Sequence, residues 1–118
     1  MTVVDDSSES HVLASRGAPL RVDRLVKDFG TTRAVDDVSL SCQGGEFLAL
    51  LGPSGSGKTS ILMSIAGFET PTSGDIWIDN RCVTEILPYR RDIGIVFQSY
   101  ALFPHMSVRA NVAFPLKM

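Results

Sequence analysis

The stretch FLALLGPSGSGKTSILMSIAG, residues 47–67, decides the fold. Phe47-Leu48-Ala49-Leu50-Leu51 is an unbroken apolar run, which reads as a short strand buried on both faces. Ile61, Leu62, Met63, Ile65 and Ala66 then follow at helical spacing until Gly67 stops them. Between strand and helix lies Gly52-Pro53-Ser54-Gly55-Ser56-Gly57-Lys58-Thr59, a complete GxxxxGK[ST] pattern in the strand–loop–helix context that gives it meaning. Chance would produce that pattern in a chain this long on the order of a few times in a thousand. Gly52, Gly55 and Gly57 are expected to take dihedrals closed to residues with a Cβ, which turns successive N–H groups inward as a nest for anions. The helix N-terminus adds partial positive charge, and Lys58 adds a full one for β- and γ-phosphate oxygens. Thr59 offers a hydroxyl to Mg²⁺, and Ser60 is placed to donate to an α-phosphate. The loop reads as a triphosphate-binding P-loop.

Upstream, Leu20, Val22, Leu25 and Val26 make an imperfectly alternating strand, and Phe29-Gly30-Thr31-Thr32 supplies a turn. A second strand runs from Ala34 to Ser41 with Val35, Val38 and Leu40 apolar, and Gly44-Gly45 closes it. Residues 1–18 are rich in Ser, Asp and Glu and read as a flexible leader before one domain over 19–118. Downstream, Pro71-Thr72-Ser73-Gly74 reads as a turn, Ile76-Trp77-Ile78 as a strand, Asp79-Asn80 as another turn, and Ile93-Gly94-Ile95-Val96-Phe97 as a further apolar strand ending at Gln98. Ser107 is a helix N-cap, and Pro115 cuts that helix short.

Composition sets limits on the partners. The chain of 118 residues carries a net charge of −2, so it advertises no basic face for nucleic acid. Cys42 and Cys82 lack metal-ligand spacing and read as two small buried thiols in a reducing compartment. The opening MTVVDDSSESH is acidic where a signal peptide is basic and then apolar. No apolar run approaches the ~18 residues that cross a membrane. These features point to the cytosol, with any membrane association made through a partner. Arg90-Arg91-Asp92 and Asp5-Asp6 read as solvated charges, and His105 has no carboxylate at fixed spacing to orient it as a base.

The flanks choose among P-loop proteins. Phe29-Gly30, Ala34-Val35-Asp36-Asp37-Val38-Ser39-Leu40, Gly44-Gly45-Glu46-Phe47, the P-loop, and Ile93 to Gln98 followed by Ser99-Tyr100-Ala101-Leu102-Phe103-Pro104-His105 together resemble ATP-binding-cassette (ABC) ATPases over residues 20–118. The tail VFQSYALFPHMSVRANVAFPLKM is most similar to importer subunits of the spermidine/putrescine group.

The resemblance implies an α/β P-loop NTPase fold: part of an ABC core with an N-terminal antiparallel β subdomain, truncated before the helical subdomain is complete. It implies ATP and Mg²⁺ as cofactors. Phe29 would stack on adenine with Ala34 lining the same pocket. Gly52 through Ser60 would hold the phosphates, Thr59 and Gln98 would face Mg²⁺, and Lys58 and Gln98 would act in hydrolysis. It also implies transmembrane permease subunits as partners, a homodimer of ATPase subunits in the full-length form, and a place on the inner face of the cell membrane. The apolar loop Phe103-Pro104-Met106 either receives a short helix from the membrane partner or packs on the domain itself.

The family's LSGGQ-type signature, its Asp-Glu strand and its switch histidine do not occur in these residues. The chain is therefore expected to be a fragment that binds nucleotide at most, with marginal stability and no hydrolysis when alone. The competing readings are a vestigial, non-enzymatic remnant and an ABC ATPase without membrane partners.

Overall fold

The computed structural model describes residues 2–6 and 17–117. Its elements are β1 (Thr2–Asp6), β2 (Leu20–Phe29), β3 (Thr32–Cys42), β4 (Phe47–Leu51), α1 (Lys58–Ala66), β5 (Ser73–Ile78), β6 (Arg81–Cys82) and α2 (Val108–Ala113), with 3₁₀ helices at Pro88–Arg90 and Phe114–Lys117. β3, β2, β5 and β6 form, in that order, a four-stranded antiparallel sheet, and β1 pairs with β4 in a second sheet.

The four-stranded sheet and α1 enclose the core. Val22, Leu25, Val35, Leu40, Ile61, Ile76 and Val83 are buried there, with Leu48, Leu50 and Ile65 packed against them. β2 and β3 are joined by the tight turn at Gly30-Thr31, so Phe29 and Thr32 face each other at its base. The uneven apolar spacing of β2 has a structural cause. Arg24 sits at φ 49°, and the register shifts between Val22 and Leu25. This β-bulge turns both Leu25 and Val26 inward. Asp79 and Asn80, at φ 53° and 60°, make the turn that joins β5 to β6, as short polar residues tolerate.

The structure corrects several readings. Thr2–Asp6 lie within the stretch that composition reads as a leader, yet they form β1, antiparallel to β4 from Thr2↔Leu51 to Asp6↔Phe47. Val3 and Val4 give the segment β propensity, and β4 offers it unpaired backbone groups. Residues 7–16 of that stretch lie outside the described residues. β4 is not buried on both faces: Phe47 and Leu51 are 68% and 52% exposed, since among the described residues β1 is its one ladder partner. Residues 93–97 form no strand. They lie across a 460 Å³ cleft from Leu62, Met63, Ile65 and Ala66 of α1, and an apolar run without a neighbouring ladder is not a sheet. Ser73 and Gly74, read as part of a turn, open β5 instead.

Two further corrections concern burial: Cys82, on the two-residue edge strand β6, is exposed and Cys42 half-buried, and Arg91 is 3% exposed rather than solvated. Its guanidinium donates to the carbonyls of Ile86 (2.8 Å), Ser64 (2.9 Å), Ile65 (3.0 Å) and Thr84 (3.2 Å). Two of those belong to the last turn of α1, where free carbonyls and the negative end of the helix dipole welcome a cation. Burial holds the Arg91 pKa below the ordinary arginine value. Gly67 ends α1 at φ 94° with its amide on Met63 and Ser64 carbonyls. A Cβ at Gly67 would lie 2.7 Å from Arg91 Nε, so helix stop and arginine share one space.

Candidate functional site

β4 delivers the chain to the loop of residues 52–57, and α1 begins at Lys58. Gly57, the residue before α1, has φ 94° and no side-chain cap, so the first amides of the helix stay free of an internal acceptor. A Cβ at Gly57 would run into the carbonyl of Ala34. The loop thus rests on β3 at a distance only glycine permits. Gly55 also lies at positive φ, 83°, whereas Gly52 is absent from the positive-φ residues, so only two of the three loop glycines use that freedom.

Lys58 is folded over its own loop. Its Nζ donates to the Gly52 carbonyl and, at 2.8 Å, to that of Pro53. An ammonium has three donors, so two hold the lysine and one is left for an anion. Ser56 Oγ is buried without a hydrogen-bond partner, an unmet polar group inside the loop.

An open cleft of 570 Å³ gathers most of the predicted residues: Phe29, Ala34, Ser54, Gly55, Gly57, Lys58, Thr59, Ser60 and Gln98 line it. They come from β2, β3, the loop with α1, and the end of the irregular segment 92–98. Gly52, Pro53 and Ser56 are not on its wall, although Gly52 and Pro53 hold Lys58. Phe29 is 46% exposed beside this cleft. Thr59 belongs to both this cleft and the apolar one along α1, and so does Gln98.

Chemically, the cleft offers one cation, hydroxyls from Ser54, Thr59 and Ser60, one amide side chain and one half-exposed aromatic ring. No group of three or more His, Cys, Asp or Glu side chains suited to a metal occurs among the described residues. A divalent ion here would take hydroxyl and amide oxygens, and share phosphate oxygens. The Lys58 ammonium and the hydroxyls of Ser54, Thr59 and Ser60 on one cleft wall fit such a ligand, while the unmet Ser56 hydroxyl lies behind that wall.

Lys27 escaped the sequence reading. Its Nζ lies 4.9 Å from the centroid of the Phe29 ring. A lysine two residues before an aromatic on one strand was the available signal. His105 is exposed, its ring 6.1 Å from that of Phe103. Phe103 packs on Phe114 at 4.6 Å, and Asn111 clasps the Phe103 backbone by accepting from its N–H (2.8 Å) and donating to its carbonyl (3.2 Å). Tyr100 and Leu102 of the same loop remain 73% and 67% exposed.

Known proteins are similar to this chain in sequence and in fold. The chain is 54% identical over 101 residues to a spermidine/putrescine import ATP-binding protein, PotA, of Chromobacterium violaceum, covering 86% of this chain and 28% of that one. Its identity to PotA of Nitrosomonas eutropha is 56% over 101 residues, with the same coverage. The chain therefore spans less than a third of the length of these curated relatives. A nucleotide-free ATP-binding cassette from an ABC transporter superposes with TM-score 0.56 at 30% identity, covering 69% of this chain and 33% of that one. A bacterial Atm1-family ABC exporter with ATP bound superposes with TM-score 0.71 at 25% identity, over 84% and 18%. The ABC transporter family matches residues 35–118, from β3 through the loop, α1 and Gln98, and on that match the chain belongs to this family.

Proposed function

We propose that the chain is the nucleotide-binding front part of an ABC importer ATPase that couples ATP binding and hydrolysis to solute uptake. The observation that carries this is the convergence of Phe29, Ala34, Lys58, Thr59 and Gln98 on one cleft. They arrive from separate elements, and we assign a base, a triphosphate and its Mg²⁺ to the space that they share. Phe29 stacks on the base, with Ala34 beside it. The amides of Gly55 and Gly57, the start of α1 and the free donor of Lys58 hold phosphate oxygens, with Ser54 and Ser60 as hydroxyl donors. Thr59 and Gln98 hold the metal ion. When bound, Mg·ATP supplies the phosphoryl group that passes to water.

The protein's part is positioning and electrostatics. Lys58 is already oriented by the Gly52 and Pro53 carbonyls, so little ordering remains to be done on binding. Gln98 can accept from one neighbour while donating to another, and its place at the end of a segment outside any ladder lets it move with occupancy of the cleft.

The relatives' names point to polyamine import, and we assign the chain to that transport class. No helix of the described residues is long and apolar enough to cross a membrane. Transmembrane permease subunits then provide the path, and the ATPase works as a homodimer on the cytoplasmic face. The apolar surface of Tyr100 and Leu102 is the permease contact we assign. Nucleic acid is not a partner in this reading, as the net charge of −2 indicates.

Calorimetric titration with Mg·ATP tests it. Saturable binding should weaken by about tenfold or more in Lys58→Ala, because one charge-assisted contact is worth about 1.5–3 kcal/mol. Titration heats no different from buffer, or equal affinity for the variant, would overturn the assignment.

A further inference from the structure

The half-exposed Phe29 ring has a cation against it. Lys27 Nζ sits 4.9 Å from the ring centroid, and only 14% of the lysine side chain is exposed. Lys27 is not among the residues that line the 570 Å³ cleft, while Phe29 is, so the ammonium approaches the ring from outside that space. The cation is itself held: it donates to the Thr70 carbonyl at 2.8 Å and lies 3.6 Å from Glu69 Oε2. Residues 69–72 follow the Gly67 stop of α1 and are laced to β2 again. The Thr72 amide donates to the Val26 carbonyl and the Asp28 amide to Thr72 Oγ1, both at 2.8 Å.

We infer that Lys27 is a positioning residue for the base of a bound nucleotide: its ammonium pins the Phe29 ring and ties that platform to the segment that ends the P-loop helix. The inference rests on the nucleotide reading of the cleft. A phenylalanine at a hairpin end has no polar atom to fix it, and nearly half of this one faces solvent. Without a brace, its rotamer freedom would be lost anew at each binding event. The quadrupole of the ring draws the cation to its face, and a ring held in one orientation presents a ready plane to a flat purine. A lysine braced this way acts on the base and not on the phosphates, which lie with Lys58 in the loop.

That difference gives the test. Affinities of the 118-residue chain for Mg·ATP and for Mg·tripolyphosphate, which has no base, are measured for the unaltered protein, Lys27→Met, Lys27→Arg and Phe29→Ala. Lys27→Met should weaken Mg·ATP by about three- to tenfold and leave tripolyphosphate unchanged. Lys27→Arg, whose guanidinium can also cover a ring face, should restore most of the loss. Should Lys27→Met fail to fold, Lys27→Gln, which can still donate to the Thr70 carbonyl, carries the same comparison. Equal losses for both ligands would mean that Lys27 merely props the fold, and no loss for ATP would mean that it does nothing for the base. Either result overturns the inference while leaving the cleft a nucleotide site. If Phe29→Ala leaves the ratio of the two affinities unchanged, the stacking assignment falls and the role of Lys27 falls with it.

Discussion

Arg91→Met removes the guanidinium while an unbranched stem of similar reach still fills its space. Four carbonyls lose a donor, those of Ser64, Ile65, Thr84 and Ile86. Ser64 keeps a second one, the Gly67 amide at 3.2 Å. Leaving a buried acceptor unpaired costs about 1–3 kcal/mol, and losing a cation from the last turn of a helix adds about 0.3–2 kcal/mol. Removing a buried charge returns part of this, because its desolvation penalty disappears. Deleting one side of a fully buried ion pair costs about 3–5 kcal/mol; here the partners are neutral carbonyls, which places the expectation near about 3 kcal/mol. That is a large share of the roughly 5–15 kcal/mol that holds a domain of this size.

Urea denaturation followed by circular dichroism reads the effect directly. With a slope of about 1–2 kcal/mol per molar, the midpoint should fall by about 1.5–3 M, or the variant should be unfolded before urea is added. Arg91→Lys should recover less than half of the loss. A compact ammonium cannot span carbonyls that a planar fork reaches on separate segments. A midpoint for Arg91→Met within about 0.3 M of the parent would refute the idea that this arginine ties α1 to residues 84–91.

Three further outcomes follow from the same geometry. Gly57→Ala forces a Cβ into the Ala34 carbonyl at a positive φ, so Mg·ATP affinity by calorimetry should fall by about tenfold or more while α1 persists. Ser107→Ala removes the acceptor of the Ala110 amide, now 3.1 Å from Ser107 Oγ, and should cost about 1 kcal/mol with faster hydrogen exchange at that amide. Arg33 donates to both oxygens of Asp28, at 2.9 and 3.3 Å, and this bonding holds the Asp28 carboxyl below its ordinary pKa. The bonded carboxylate therefore stabilises the hairpin fully above the ordinary aspartate value, and the contribution is lost as pH falls through the lowered one. Melting curves of Asp28→Asn and the parent should differ near neutral pH and converge in acid; a constant gap would show that the charge is not the cause.

The residues legible beforehand are those whose chemistry is local. The P-loop reports itself because each position answers to its immediate neighbours, and the β2–β3 hairpin does so because turn residues and alternation lie within one short window. Phe29 and Gln98 became legible through a resemblance, since neither a lone aromatic nor a lone glutamine says anything by itself. Arg91 was illegible for the opposite reason. Its partners are carbonyls, which every residue has, and two of them lie 26 and 27 positions away. A buried arginine bound to carboxylates leaves a trace in the sequence, whereas one bound to backbone leaves none.

The same distinction accounts for the two misread strands. An apolar run fixes how much a segment gains from burial, but ladder formation depends on which backbone lies alongside, and that is a property of another segment. Val3 and Val4 found the open edge of β4 despite their acidic surroundings, while the more apolar Ile93 to Phe97 found none among the described residues. Hydrophobicity is met in part, since residues 93–97 line the 460 Å³ cleft along α1. It could not predict their hydrogen-bonded state. Gln98 depends on that difference: a glutamine closing a laddered strand would be fixed by its neighbours, whereas here it follows a segment in no ladder, fastened near Gln98 by the contact between Phe97 and Phe68, 5.8 Å between centroids, and by the local turn in which the Tyr100 amide donates to the Phe97 carbonyl at 2.9 Å. In the proposed function, its response to a ligand in the cleft rests on the same missing ladder that defeated the strand prediction.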